Sequence, residues 1–385
     1  MLVRTTKPKA AAAATIGGGL AGRKRAELLG RLESCFVRTQ TWLQAGKYVS
    51  ALLSELPKRN GWTVAEHAGD RTPDRTQRLL NRAAWDTFAA MSQVRRFAAA
   101  DLDAAARRNR WRGGMVIGAI DETGQEKAGE ATAGVKRQYM GCAGRVANGI
   151  NTVHLSYVQA RTGHALIGAR QWIPQEHIED PVKSVVMGLP LGLEFRTKGQ
   201  LAIDICTDAY ADGLAFDFVC GDEVYGGCTQ LRKFFESSGQ PYILRVASNF
   251  TFTLAMGAKL TCAEAVKWLM KDKRRWEVRS AGKGSKGERW YAWAWIATAS
   301  PGHHLLVRRP AEGPHRHPGA APGPARSAAT RRARHDPADH PRAQAAARRP
   351  HHPAPAPMAC HPLGCMGPPP PGPLAMVPQT RQARP

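Results

Sequence analysis

Two acidic pairs stand where apolar runs give out. Met115-Val116-Ile117-Gly118-Ala119-Ile120 leads into Asp121-Glu122, and Phe216-Asp217-Phe218-Val219-Cys220 leads through Gly221 into Asp222-Glu223. Apolar runs of this length read as short buried strands. Carboxylates brought together from adjacent strands can hold two divalent ions about 3.5–4 Å apart, one activating a nucleophile and one stabilising a leaving oxygen. Magnesium, or manganese in its place, suits an all-oxygen site that keeps water and phosphate as further ligands.

Such a site needs a scaffold, and the middle of the chain supplies one. After the strand ending at Asp121, strands are expected over 151–159 and 164–172, joined by the turn Arg161-Thr162-Gly163. An amphipathic helix follows over 201–214, then a strand over 216–220, a helix over 231–237 and a strand over 242–246. Three strands, helix, strand, helix, strand is the order of a ribonuclease-H-like mixed sheet. That fold carries one carboxylate on its first strand and another just after its fourth, the places of Asp121 and Asp222.

Upstream, residues 1–27 read as a disordered leader and 28–112 as a small helical domain. Thr63-Val64-Ala65-Glu66 carries a capping-box pattern, with Trp62 as a staple. Gly69-Asp70 stops that helix. Thr72 is expected to cap a second one, with Pro73 at its first position. Arg75, Arg78 and Arg82 lie on this second helix, and the pair resembles a helix-turn-helix that could enter a major groove. The alternative is a helical bundle with an ordinary basic face.

A net charge of +24 over 385 residues calls for a polyanionic partner: DNA, RNA or an anionic membrane surface. No stretch nears the roughly eighteen apolar residues of a membrane helix. Eight cysteines without a C-x-x-C pair suit a reducing cytosol and argue against structural zinc. Residues 310–385 contain no Phe, Tyr, Trp or Ile, and only Glu312, Asp336 and Asp339 as acids. That composition cannot offset chain entropy and predicts disorder. Its abrupt onset at Arg309-Pro310 reads as GC-rich DNA translated out of frame, with a natural basic tail as the alternative.

Several strings carry a family resemblance. AIDETGQEKAG, GVKRQYMGCAGRVANGINTVHLSY, FDFVCGDEVYG, PYILRV and GKGSKGERWYAWAWI resemble the DDE-superfamily endonuclease domain of bacterial insertion-sequence transposases. NGWTVAEHAGDRTPDRTQRLLNRAAWD is similar to the N-terminal region of the same family, so the resemblance spans about 30–309. It implies a ribonuclease-H-like catalytic domain over 113–309 with a β-rich insertion, Asp121 and Asp222 as metal-binding catalytic residues, and Mg2+ or Mn2+ as cofactor. It implies DNA as partner, both element ends and target, in a bacterial cytoplasm near the nucleoid, and leaves a homo-oligomer open. Glu122 and Glu223 are secondary, since strand neighbours point to opposite faces. The family's third carboxylate, a glutamate on a later helix, is not identified: Glu312 has no helical context. The activity implied is metal-dependent strand cleavage and transfer at element ends, impaired in this product. The rival reading is a truncated, non-catalytic DNA binder that occupies those ends. A ribonuclease-H-like nuclease unrelated to transposition is a third, disfavoured by the N-terminal motif.

Other features have plainer readings. Asp204, Asp208, Asp212 and Asp217 read as a solvent-facing acidic surface. Lys127, Lys136 and Arg137 flank the first aspartate; they could pair with acids structurally, but the excess positive charge favours phosphate contacts. Lys283 and Lys286, in Lys283-Gly284-Ser285-Lys286-Gly287, read as a basic hairpin turn touching DNA. His154 reads as a satisfied core histidine, and Trp290, Trp293 and Trp295 as packing residues.

Overall fold

The structure, a computed structural model, describes residues 7–108, 114–284 and 287–311. They form two compact units, divided between Arg245 and Val246.

The first unit opens with five helices: α1 (Lys7–Leu32), α2 (Thr39–Leu52), α3 (Gly61–His67), α4 (Asp74–Asn81) and α5 (Thr87–Arg108). Residues 7–27, expected as a disordered leader, instead begin α1. The reason is local and tertiary. Ala10–Ala14 is a run of the best helix former, and the end of the helix leans on α5 through Lys24 Nζ to Asp101 at 2.8 Å. Helix α3 is capped by Asn60, not Thr63: the Asn60 side chain accepts from Trp62 N and Thr63 N, and Thr63 reciprocates. Trp62 is 67% exposed and so is no staple. Helix α4 starts without a side-chain cap, because the Thr72 hydroxyl bonds to the Asp74 carboxylate instead.

Next come β1 (Val116–Glu126), β2 (Lys136–Met140), β3 (Arg145–Gln159), β4 (Gly163–Trp172), two short helices α6 (Gln175–Ile178) and α7 (Pro181–Val186), α8 (Lys198–Ala211), β5 (Phe218–Gly221), α9 (Glu223–Gly226), α10 (Thr229–Ser237) and β6 (Tyr242–Leu244). The sheet runs β2-β3-β1-β5-β6, with β4 also paired to β3. Strand β1 is antiparallel to β3 and parallel to β5. This is the ribonuclease-H-like mixed sheet that the element order predicts. Two details differ: β2 is a strand beyond those expected, pairing with a β3 that starts at Arg145, and β1 does not end at Asp121 but continues to Glu126, because β3 is long enough to pair it from Gln159 back to Gly149.

The core lies on one face. Ile120, Val153, Leu155 and Tyr157 from the sheet meet Leu201, Ala202, Ile205, Cys206 and Ala209 of α8, with Ala99 of α5 beside them. Gly168 lets α8 come this close, since a Cβ there would meet Ile205 Cγ2 at 2.3 Å. Ile205 is β-branched and stiff, so Gly168→Ala is expected to cost about 1–3 kcal/mol by overpacking. Urea unfolding measures this, and an unchanged midpoint would mean that the helix shifts freely.

The acids of α8 are not the solvent-facing surface expected. Arg95 of α5, 2% exposed, donates from Nη1 to Asp212 at 2.6 Å and from Nε to Ile167 O at 2.9 Å. Ser92 Oγ adds a 2.7 Å bond to Asp212. Asp208 pairs with Arg170 of β4 and lies 3.8 Å from Arg95. Asp217 accepts from Val116 N at 2.7 Å, joining the start of β1 to the approach to β5. Asp208 and Asp212 tie the helical region to the sheet through Arg95, a role the sequence hides because that arginine is far away along the chain; Asp217 remains exposed.

The second unit holds β7 (Thr251–Thr253), β8 (Lys259–Thr261), α11 (Cys262–Met270), β9 (Glu277–Gly284), β10 (Gly287–Ala297) and β11 (His304–Pro310). Strands β9, β10 and β11 form one antiparallel sheet. Ala294 and Ile296 turn inward against Ala265 and Leu269 of α11. Trp295, one of the expected packing residues, falls on the other side of the strand and is 59% exposed. Glu312 and the rest of the tail lie outside the described residues.

Candidate active site

The parallel register of β1 and β5 runs from Ile117 opposite Phe218 to Ile120 opposite Gly221. One step further stand Asp121 and Asp222. Strand β5 ends there, and Asp222 becomes the cap of α9, its Oδ1 accepting from Val224 N at 3.0 Å. Asp121 Oδ1 accepts from Glu122 N at 2.8 Å. In each carboxylate the backbone thus engages one oxygen, and the other carries no hydrogen bond among the described residues.

Glu122 points the other way, as strand alternation requires. Its Oε1 lies 2.5 Å from Lys198 Nζ at the start of α8, and its Oε2 accepts from Tyr225 OH at 3.1 Å. Tyr225 is fully buried. Burial first, and then the charges of Glu122, Asp222 and Asp121, raise its pKa. Both aspartates are therefore within electrostatic reach of one hydroxyl. Glu223 is exposed, with Arg245 3.6 Å away.

His154 faces Asp121 across the β1–β3 ladder. It is not the satisfied histidine expected: its Nδ1 is buried without a partner. Desolvation lowers its pKa, and the Asp121 charge only partly opposes this.

Two carboxylates with one oxygen each to spare, and no thiolate beside them, suit a hard divalent ion that keeps water and phosphate ligands. Among the described residues no group of three His, Cys, Asp or Glu side chains could hold a metal by itself. The pair fits part of a site rather than all of one.

The basic residues lie on other elements, α4 and β2. Arg75, Arg78 and Arg82 are exposed on or at the end of α4, while Thr76 and Leu79 are buried on its other side. Arg75 lies 3.5 Å from Asp70, a carboxylate also held by Lys47 at 2.9 Å. Lys136 pairs with Glu176 at 2.5 Å, and Arg137 beside it on β2 is exposed. The side chain of Lys283 and all of Lys286 lie outside the described residues. Sequence reasoning missed Tyr225 and Lys198. Tyr225 had a signal, three residues after Asp222 in the GDEVYG string; Lys198 had none.

No helix among the described residues is long and apolar enough to cross a membrane. Residues 31–259 match the sequence profile of a family described as DDE superfamily endonuclease. A stretch of 115 residues is 31% identical to a probable transposase for insertion sequence element IS701 of Microchaete diplosiphon. That alignment covers 30% of this chain and 27% of that protein.

Proposed function

This chain belongs to the DDE superfamily endonuclease family, and we propose that it derives from an insertion-sequence transposase that cuts DNA at its element's ends and joins the freed 3′-hydroxyl to target DNA. Divalent-metal chemistry is general in that family. The observation that carries the reading is the placement of Asp121 and Asp222 one step beyond the last paired residues of the parallel strands β1 and β5. Mg2+ or Mn2+ held there would polarise a phosphoryl oxygen and make a bound water or hydroxyl a better nucleophile. The chain's own part is to aim the two carboxylates, through the backbone bonds from Glu122 N and Val224 N.

DNA would be gripped elsewhere, by the exposed arginines of α4 with Arg137 and Lys136 as phosphate contacts. Replacing Arg75 and Arg78 together by alanine is expected to weaken binding to a duplex bearing the element's end. It should also lower the salt slope by about 2, since each lost phosphate contact removes roughly one released counterion. Fluorescence anisotropy at several salt concentrations reads both. Unchanged affinity and slope would exclude α4 as the reader.

A second reading is favoured by a specific observation. The described residues bring no third carboxylate to Asp121 and Asp222, and residues 310–385 offer only Glu312, Asp336 and Asp339. As it stands, the product is then a binder of element ends with impaired cleavage, its last segment read out of frame. The setting is the bacterial cytoplasm, near the nucleoid. Two copies acting on two ends would form a homo-oligomer.

A further inference from the structure

Backbone pairing between β1 and β5 stops at Ile120 and Gly221. Beyond that point Asp121 continues in a strand, whereas Asp222 turns into α9, a helix of four residues. The ladder thus ends one step short of the two carboxylates whose spacing matters. Side chains bridge the gap. Tyr225 leaves α9 three residues after Asp222 and donates its hydroxyl to Glu122, the residue after Asp121, at 3.1 Å. Lys198 holds the other oxygen of Glu122 at 2.5 Å.

We propose that Glu122, gripped by Tyr225 and Lys198, is a positioning residue that sets the spacing of Asp121 and Asp222; this rests on the reading of those two aspartates as metal ligands. Tyr225 is fully buried and packs close over Gly221, where a Cβ would lie 3.2 Å from Tyr225 Cβ. The hydroxyl therefore reaches Glu122 from within the packed core. Lys198 offsets the charge of Glu122, which on the far face of β1 would otherwise add to the negative charge near both aspartates. It also stands over the Trp172 ring at 6.0 Å, which limits its freedom. The same grip explains why Glu122 does not serve as a ligand itself: swinging outward would break both bonds and strand the Tyr225 hydroxyl in the core.

The test is a titration of the full chain with Mn2+, reading free ion by electron paramagnetic resonance, beside a thermal melt of each variant. The parent chain is expected to bind Mn2+ weakly and Asp222→Asn to abolish that binding. Tyr225→Phe keeps the buried ring and removes only the hydroxyl. It is expected to weaken Mn2+ binding by up to about tenfold, since Tyr225 acts one residue further out than a direct partner of a ligand, while still melting cooperatively. Glu122→Gln keeps an oxygen that can accept from Tyr225, and is expected to bind better than Glu122→Ala. Parent-like Mn2+ affinity in both Tyr225→Phe and Glu122→Ala would overturn the positioning role and leave the metal reading intact. Parent binding that survives Asp222→Asn unchanged would overturn the metal reading, and the positioning role with it.

Discussion

A protein made from the same gene with its frame restored after codon 309 is expected to cleave DNA bearing the element's ends at least about a hundredfold faster than the present chain. The estimate follows from geometry: in-line displacement loses on the order of a hundredfold for a misplacement of about one ångström. Two aspartates with a single spare oxygen each leave ions and phosphate with far more latitude than that. The neighbouring acids cannot stand in, because Glu122 is held at both oxygens by Lys198 and Tyr225 and Glu223 lies toward Arg245. Single-turnover cleavage with Mg2+ and then Mn2+, on both proteins, measures the ratio. Equal rates that Asp222→Ala abolishes would mean that the present chain already supplies its third ligand.

Arg95→Ala is expected to destabilise the first unit by about 3–5 kcal/mol, the range for stripping one partner from a buried ion pair. The Arg95 side chain is 3% exposed and that of Asp212 14%. Truncation leaves the Asp212 carboxylate with Ser92 and the more distant Arg96, and takes the Arg95 bond from Ile167 O. A double variant, Arg95→Met with Asp212→Leu, should recover much of the loss, since well-packed apolar groups often replace a buried pair without penalty. Urea denaturation gives both numbers. A loss below about 1 kcal/mol for Arg95→Ala would place the pair among surface bridges, which contribute little.

The strand order and the positions of the two aspartates beyond the paired ends of β1 and β5 are legible because each depends on a few adjacent residues. An apolar run marks its own strand, although only β5 stops at its acidic pair while β1 runs on to Glu126, and alternation assigns Glu122 to the far face. What stayed hidden depends on residues distant along the chain. Arg95 and Asp212 are 117 positions apart, and nothing in either neighbourhood points to the other. The acids of α8 therefore looked like a solvent face. Lys198 escaped for the same reason, lying 76 positions from Glu122. Caps were misplaced by a few residues because Asn60, Thr63 and Thr72 are all able to cap, and only the backbone decides which one does. The unsatisfied Nδ1 of His154 could not be foreseen, since satisfaction is a property of three-dimensional neighbours.

The division between Arg245 and Val246 bears on the life of the element. Every strand of the main sheet, both aspartates and the arginines of α4 are encoded before that point. As the ribosome delivers the chain, this unit has all its sheet partners before the last third of the message is read. An error of frame near codon 309 would leave its assembly unaffected. On the proposed reading, such a product would still bind the element's ends while cutting them poorly.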